Sequence, residues 1–283
     1  MIVKSYGKIN IVLNVLGKRD DNLHKVDMVS LPIELHDSLS ISKFSDSTSY
    51  VTFANAAIGG NDNNLASLAI KAFKEKYAIN DNYRILINKV IPISAGLGGG
   101  SSNAAATLKG ISAISKVNVS DEDLAEIGFK LGSDVPFFIY SKPARVMGAG
   151  EIVKPINIKN TYYCLLVKPQ TGLSTKEVYA LSDEVELPTY NVDDVIKALE
   201  EGDDNLLMKS IGNALEIPAT KLLPEILDIK ERLKNDGFKI VLMSGSGSCV
   251  YGLTTDKNLA KKVFKEYIKH DYKGDIELCK IIK

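Results

Sequence analysis

A glycine-rich segment in the first half of the chain has the composition of a phosphate-binding loop. It reads P-I-S-A-G-L-G-G-G-S-S from Pro92 to Ser102, with four glycines in five positions. Glycine costs backbone entropy on folding, so such a cluster favours a conformation that side chains would block, for example close approach of a ligand to the main chain. Successive N–H groups leading into a helix N-terminus can bind a phosphate chain. A flexible turn capped by serine is the alternative interpretation.

Other phosphate-binding motifs do not match this segment. A Walker A loop needs a lysine and then Ser or Thr after its last glycine, whereas Ser101 and Ser102 follow Gly100 directly. A dinucleotide-binding G-x-G-x-x-G would need glycine where Ser101 stands. The H-R-D and D-F-G signatures of eukaryotic-type protein kinases are also missing. The sequence therefore excludes these three classes by their motifs.

Two charged residues far from the loop in sequence have the types needed for proton transfer and charge stabilisation. Lys8 lies in the run 7–16, where apolar and mostly polar residues alternate, so Lys8 and Asn10 are expected on the same face of a strand. Asp134 follows Gly132 and precedes Pro136 in a predicted turn. Taken alone, Lys8 would be a solvated strand residue and Asp134 a turn residue.

These segments together resemble the GHMP small-molecule kinases, a family named for galactokinase, homoserine, mevalonate and phosphomevalonate kinases. Pro92 to Ser102 resembles the family's P-x-x-x-G-L-G-x-G-S-S phosphate loop. Three further matches occur in the family's order, and they are the G-K-I-N strand from Gly7, the G-S-D-V-P turn from Gly132, and L-M-S-G-S-G-S from Leu242. Their joint occurrence spans nearly the whole chain and is specific.

The resemblance implies transfer of a phosphoryl group from ATP, with Mg²⁺, to an alcohol. Asp134 would accept the proton of the attacking hydroxyl, and Lys8 would stabilise the developing negative charge and orient the carboxylate. No metal ligands are predicted among the side chains. Lys89 has a surface interpretation as well, and Asn64 a helix-cap interpretation. The positions matching nucleotide-binding residues are Asn64, Lys89, Pro92, Gly96, Leu97, Gly98, Gly99, Gly100, Ser101, Ser102 and Asn103.

Within the family, the long loop and the G-S-D-V-P-F-F spacing most resemble the branch that phosphorylates the 2-hydroxyl of a cytidine diphosphate-linked polyol in isoprenoid precursor biosynthesis. A cytosine-recognising segment of that branch aligns with 22–24, where His24 is retained but Leu23 replaces an aromatic residue. Leu23 offers no π-face for stacking, which is worth ~1–3 kcal/mol per base. The residues implied to bind substrate are Asn10, Leu23, His24, Thr175 and Tyr179.

Alternatives stay open at this point. His24 alone would more often be a surface residue, and Tyr179 a core tyrosine. A homoserine or mevalonate-type substrate would also suit a family member. Leu23 is compatible with this alternative, because it lacks the aromatic ring expected for a cytosine-binding site. A nucleotide-binding sensor that has lost turnover is the rival from another class, although such a protein would be expected to lose Lys8 or Asp134 before its glycines.

The elements that must position these residues indicate an α+β fold. Ser101 or Ser102 is expected to cap the helix after the loop, and Pro136 to oppose a helix after Asp134. Residues 59–61 are predicted to form a turn. Strands are predicted at 7–16, 39–42, 50–54, 83–89, 162–167, 239–243, 249–253 and 275–282. Helices are predicted at 63–77, from 101 onward, and at 120–132, 174–182, 191–201, 205–213, 219–236 and 256–270.

Length, composition and charge set the remaining bounds. A chain of 283 residues favours two domains, which we place at 1–158, carrying the nucleotide site, and 159–283. The resemblance implies a ribosomal-protein-S5-like first domain and a ferredoxin-like second domain. The 35 basic and 35 acidic residues cancel, which argues against nucleic-acid or anionic-membrane partners. Three distant cysteines and the lack of a signal-peptide pattern favour a reducing, cytoplasmic location. The oligomeric state is not predicted.

Overall fold

The computed structural model describes residues 1–45, 48–55 and 64–283. The strands are β1 (Ile2–Lys18), β2 (His24–Phe44), β3 (Tyr50–Phe53), β4 (Asn82–Asn88), β5 (Ala144–Gly148), β6 (Ile152–Pro155), β7 (Tyr163–Lys168), β8 (Gly212–Asn213), β9 (Ile240–Met243), β10 (Val250–Thr254) and β11 (Asp275–Lys280). The helices are α1 (Leu65–Tyr77), α2 (Gly99–Ser115), α3 (Asp121–Leu131), α4 (Val135–Tyr140), α5 (Thr175–Ser182), α6 (Val192–Glu201), α7 (Asp204–Ser210), α8 (Glu216–Leu222), α9 (Glu225–Asn235) and α10 (Lys257–Lys269). The predicted α+β class is confirmed.

The first sheet is built around the long hairpin of β1 and β2. Its order is β3-β4-β2-β1-β8, with β5 on β2 and β6 on β5. The length of β2 lets it pair with β5 through its first part and with β4 through its last part. Helices α1 and α2 pack together over this sheet. The register of β1 on β2 places Lys8 opposite Pro32 and Asn10 opposite Ser30.

The second sheet is antiparallel, with the order β11-β7-β10-β9. The two sheets are joined by direct contacts. Strand β8, although it comes late in the chain, pairs in parallel with β1 of the first sheet. The hydroxyl of Tyr251 on β10 donates a 2.6 Å hydrogen bond to the carbonyl oxygen of Asn10 on β1. The boundary between residues 158 and 159 stays a prediction.

Several elements differ from the sequence prediction for identifiable reasons. Strand β2 was predicted only at 39–42, because residues 28–33 are buried on both faces and so lack the alternation that marks a half-buried strand. The helix predicted at 219–236 is two helices, with Pro224 at the break. Helix α4 forms despite Pro136, because the first turn of a helix tolerates proline. Strands β5 and β6 were not predicted.

The predicted turn at 59–61 lies outside the described residues. Within the described ranges, none of the helices has the length and apolar character that crossing a membrane requires.

Candidate active site

The glycine loop is held to the protein through its carbonyl groups. Four successive carbonyl oxygens, from Ser94 to Leu97, accept hydrogen bonds from Ser248 N at 3.4 Å, Cys249 N at 3.2 Å, Ser244 Oγ at 3.0 Å and Lys8 N at 3.1 Å. The N–H groups of Gly96 to Ser101 donate to no acceptor in the described part of the chain. The loop and the start of α2 therefore offer a run of main-chain donors, which is the arrangement that binds phosphate groups.

Two positions in the loop require glycine. Gly96 has φ of +72°, and a Cβ there would lie 1.9 Å from the carbonyl oxygen of Ser244. Gly98 has φ of +68°, and its Cβ would lie 2.6 Å from the ring of Phe138. Gly98 is also the N-cap residue of α2. The prediction that Ser101 or Ser102 caps this helix is therefore wrong, because the helix begins earlier, within the glycines.

Substitution of Gly96 by alanine is expected to raise the KM for ATP by tenfold or more and to lower the melting temperature. The methyl group would overlap the Ser244 carbonyl, and positive φ adds a cost of about 1–2 kcal/mol. Gly237→Ala is a control, since Gly237 also has positive φ but its Cβ would meet only Leu259 side-chain atoms, at 3.3 Å or more. Steady-state kinetics should show an unchanged ATP dependence in the control, and an equal effect in both variants would contradict the assignment.

Lys8 and Asp134 come together beside the loop. Lys8 Nζ lies 3.9 Å from Asp134 Oδ2, and the Lys8 side chain is 5% exposed whereas that of Asp134 is 34% exposed. Asp134 is the N-cap residue of α4, but its carboxylate makes no capping hydrogen bond. Burial lowers the pKa of Lys8 from its ordinary value, and the negative charge of Asp134 acts in the opposite direction. The partly exposed carboxylate of Asp134 thus lies beside the buried cation of Lys8.

Asn10 lines no ligand-sized cavity in the described part of the structure, contrary to the prediction that it binds substrate. Its side chain is fully buried and lines neither the cavity beside the glycine loop nor the larger cavity beside α5. Its Oδ1 accepts a 2.5 Å hydrogen bond from Lys8 Nζ, and its Nδ2 donates to Ser30 Oγ at 3.0 Å and towards Met28 Sδ at 3.2 Å. Strand alternation correctly places Asn10 on the face of Lys8, but its cross-strand partners on β2 cover it. Asn10 therefore orients Lys8.

Two cavities meet at Asp134. The first, of about 390 Å³, is lined by the glycine loop, and the second, of about 790 Å³, by the end of the β1–β2 hairpin and by α5. Both are lined by Met28, Ser101, Asp134, Thr175 and Tyr179. The predicted nucleotide-binding residues that line the first cavity are Asn64, Lys89, Pro92, Gly96, Leu97, Gly98, Gly99, Gly100, Ser101 and Asn103. A phosphoryl donor bound in the first cavity and a phosphoryl acceptor bound in the second would therefore meet at the Asp134 carboxylate.

Two of the predicted nucleotide-binding residues, Asn64 and Ser102, make hydrogen bonds within the protein. Asn64 is the N-cap of α1, where its side chain accepts a 2.9 Å hydrogen bond from Ser67 N, so the helix-cap interpretation is confirmed while the residue also lines the cavity. Ser102 is 2% exposed, lies outside both cavity linings, and accepts a 2.7 Å hydrogen bond from Ser5 Oγ. A nucleotide contact through the Ser102 side chain is therefore not supported, because α2 turns it towards β1.

The second cavity brings together four of the five predicted substrate residues, which are Leu23, His24, Thr175 and Tyr179. The rings of His24 and Tyr179 lie 4.8 Å apart at 36°, and Leu23 beside them is 39% exposed. His24 Nε2 lies 2.7 Å from Asp183 Oδ1, and Lys18 Nζ lies 3.3 Å from Asp183 Oδ2. The hydrogen bond from His24, and to a smaller extent the one from Lys18, lowers the pKa of Asp183. Burial raises the pKa of Tyr179, so its phenol stays protonated. Asp183 was missed because nothing local distinguishes it.

The loop 244–248 closes the site from the second sheet. A Cβ on Gly245 would lie 3.2 Å from Lys8 Nζ, and Ser246 Oγ lies 2.8 Å from Thr175 Oγ1. The side chain of Asn213 holds this loop, because its Nδ2 donates to the carbonyl oxygens of Met243 at 2.9 Å and Gly245 at 2.8 Å. Asn213 was not predicted, since it lies in a two-residue strand without a sequence signal.

The fold and this site define a class of enzyme. The chain belongs to the GHMP kinase family, whose N-terminal domain model matches residues 64–142 and whose C-terminal domain model matches residues 195–273. The resemblance drawn from the motifs is therefore confirmed, and the protein is an ATP-dependent small-molecule kinase.

Individual relatives match this chain over most of its length. A protein of Geobacillus sp. named 4-diphosphocytidyl-2-C-methyl-D-erythritol kinase is 39% identical over 264 residues, which cover 93% of this chain and 91% of the relative. A protein of Bacillus subtilis with the same name is 38% identical over 266 residues, with the same coverage. A crystal structure of 4-(cytidine 5'-diphospho)-2C-methyl-D-erythritol kinase matches all of both chains, with a TM-score of 0.82 and 29% identity.

Proposed function

We propose that the protein transfers the γ-phosphoryl group of ATP to the 2-hydroxyl of 4-diphosphocytidyl-2-C-methyl-D-erythritol, a step in isoprenoid precursor biosynthesis. The observation that carries the chemistry is the position of Asp134, which lines both cavities and lies 3.9 Å from Lys8. The relatives' name supplies the acceptor. A cytoplasmic location and the lack of nucleic-acid or membrane partners stay predictions.

In the proposed mechanism, positioning and charge stabilisation dominate. The main-chain donors of the glycine loop would bind the phosphates of ATP, and the acceptor hydroxyl would approach from the second cavity. Asp134 would take the proton of that hydroxyl as the bond to phosphorus forms and ADP leaves. The ammonium group of Lys8 would stabilise the negative charge that develops on the transferred phosphoryl group.

Mg²⁺ fits this site as an ion that arrives with the nucleotide. Among the described residues there is no cluster of three or more His, Cys, Asp or Glu that could hold a metal ion. The cavity does offer the hydroxyl of Ser101, a hard oxygen donor that Mg²⁺ accepts alongside substrate phosphates. Ser101 would hold the ion together with the phosphate oxygens of ATP, and the ion would supply charge neutralisation of the phosphates.

The second cavity supports a large acceptor with an aromatic end. Its volume of about 790 Å³ lies in the range of sites for drug-sized ligands, and homoserine or mevalonate would leave much of it unfilled. The ring of Tyr179 offers an aromatic contact for the base that Leu23 does not provide, and His24 adds a polar group. Thr175 would contact the middle of the substrate.

A substrate panel tests this assignment. The purified protein with ATP and Mg²⁺ is incubated separately with 4-diphosphocytidyl-2-C-methyl-D-erythritol, homoserine and mevalonate, and both ADP release and the phosphorylated product are measured. We expect turnover of the cytidyl compound at least 10³-fold above the other two, because those lack the base and diphosphate contacts. Turnover of homoserine or mevalonate alone would reject the acceptor. ATP binding without any product would favour the sensor.

A further inference from the structure

One buried carboxylate next to the nucleotide cavity accepts four hydrogen bonds. Asp37 lies on β2, its side chain is 0% exposed, and it lines neither cavity. Its Oδ1 accepts from Val90 N at 2.7 Å and Ile91 N at 2.8 Å. Its Oδ2 accepts from Lys89 Nζ at 2.5 Å and Asn103 Nδ2 at 2.8 Å. A buried carboxylate with four donors fixes the positions of all of them.

These four donors lie on both sides of the glycine loop. Lys89, Val90 and Ile91 come just before the loop, and Asn103 lies in the first turns of α2 just after it. Asp37 therefore ties together the two ends of the segment that carries the main-chain donors. Asn103 is further fixed because its Nδ2 also donates to Ser5 Oγ at 2.8 Å.

The Lys89 cation connects Asp37 directly to the loop. The Lys89 side chain is 9% exposed and lines the nucleotide cavity, and a Cβ on Gly99 would lie 2.6 Å from its Nζ. The ammonium group thus lies against the first residue of α2, where positive charge and main-chain N–H groups would act together on a phosphate chain. A lysine this buried needs a charged partner to stay in place, and Asp37 is that partner.

We propose that Asp37 is a positioning residue for the nucleotide, acting through Lys89 and Asn103 on the affinity for ATP. It does not contact the nucleotide itself. The proposal rests on the nucleotide site of the proposed function but not on the identity of the acceptor. Its test is therefore the dissociation constant of ATP, measured by calorimetry without an acceptor, which is independent of the outcome of the substrate panel.

The central variant is Asp37→Asn. It keeps the shape of the side chain but replaces one acceptor oxygen by an NH₂ donor, which then faces the donors that Asp37 had bound. We expect the dissociation constant of ATP to rise by tenfold or more, with the KM for the acceptor changed by less than threefold. Asp204→Asn is the matched control, because Asp204 accepts from Tyr162 Oη at 2.6 Å and from Asn160 Nδ2 at 3.2 Å, and it lies outside the nucleotide cavity. The control is expected to lose thermal stability without any change in ATP affinity.

A double variant separates positioning from a general loss of stability. Lys89→Met alone is expected to weaken ATP binding about tenfold. If Asp37 acts through Lys89, the combination of Asp37→Asn with Lys89→Met should be little weaker than either single variant, whereas independent effects would multiply to about 100-fold. Multiplicative effects, or normal ATP affinity in folded Asp37→Asn, would overturn the proposal.

Asn103→Ala keeps the proposal testable if Asp37→Asn does not fold. It removes one donor to Asp37 while the Asp37–Lys89 pair stays intact. We expect a threefold to tenfold rise in the dissociation constant of ATP. An unchanged constant in a folded Asn103→Ala protein would overturn the proposal.

Discussion

Replacement of Asp134 by asparagine is expected to lower kcat by about 10²- to 10⁴-fold while the dissociation constant of ATP changes by less than threefold. Asparagine keeps the size of the side chain but cannot accept the proton of the acceptor hydroxyl. ATP affinity should be spared because the main-chain donors of the loop are anchored through carbonyl contacts that do not include Asp134. Single-turnover kinetics and calorimetry with ATP measure the two quantities separately.

The same experiment needs a control for the loss of a negative charge. Asp123→Asn serves this purpose, since Asp123 is an exposed acid in the first turn of α3 and lines neither cavity. Its kcat should equal that of the unmodified protein. Near-normal turnover in Asp134→Asn would refute the assignment of the base. A large loss of ATP affinity together with kcat would instead indicate that Asp134 holds the nucleotide.

The parts of the site that could be predicted from sequence are those whose function is encoded locally. The glycine loop carries its conformation in consecutive residues. Lys8 and Asp134 could be paired only because the resemblance supplied a relation between distant motifs. Their 3.9 Å separation is a property of the fold, which spacing alone does not contain.

The parts that could not be predicted depend on register and on distant partners. Asn10 was placed on the correct face of β1, but its pairing with Ser30 on β2 decides that it lies behind Lys8 rather than in the cavity. Asp37 and Asp183 are two of the 35 acidic residues, and no neighbouring residue marks either of them. Asp37 lies on β2 just before the predicted strand at 39–42, and Asp183 directly follows the predicted helix at 174–182, so their roles depend on the distant partners that the fold brings to them.

Replacement of Lys8 by methionine is expected to lower kcat by about 10²- to 10³-fold, the usual cost of removing one group that stabilises transition-state charge. Methionine retains the apolar stem of the side chain but removes the ammonium group. Lys8→Arg should not restore activity, since Nζ already lies 2.5 Å from Asn10 Oδ1 and a Cβ on Gly98 would lie 3.4 Å from Lys8 Cγ, which leaves little room for a guanidinium group. Steady-state kcat of both variants measures the effect.

The pH dependence of kcat distinguishes loss of this cation from a general disturbance of the site. Burial lowers the pKa of Lys8 from its ordinary value of 10.5, so turnover should fall with rising pH below that value as the ammonium group loses its proton. The charge of Asp134 opposes this shift, so the residual activity of Asp134→Asn should fall at a still lower pH. Lys8→Met has no such proton to lose, and its weak activity should lack this alkaline decrease. An unchanged alkaline decrease in Lys8→Met would show that another group titrates and that Lys8 is not the cation that stabilises the transferred phosphoryl group.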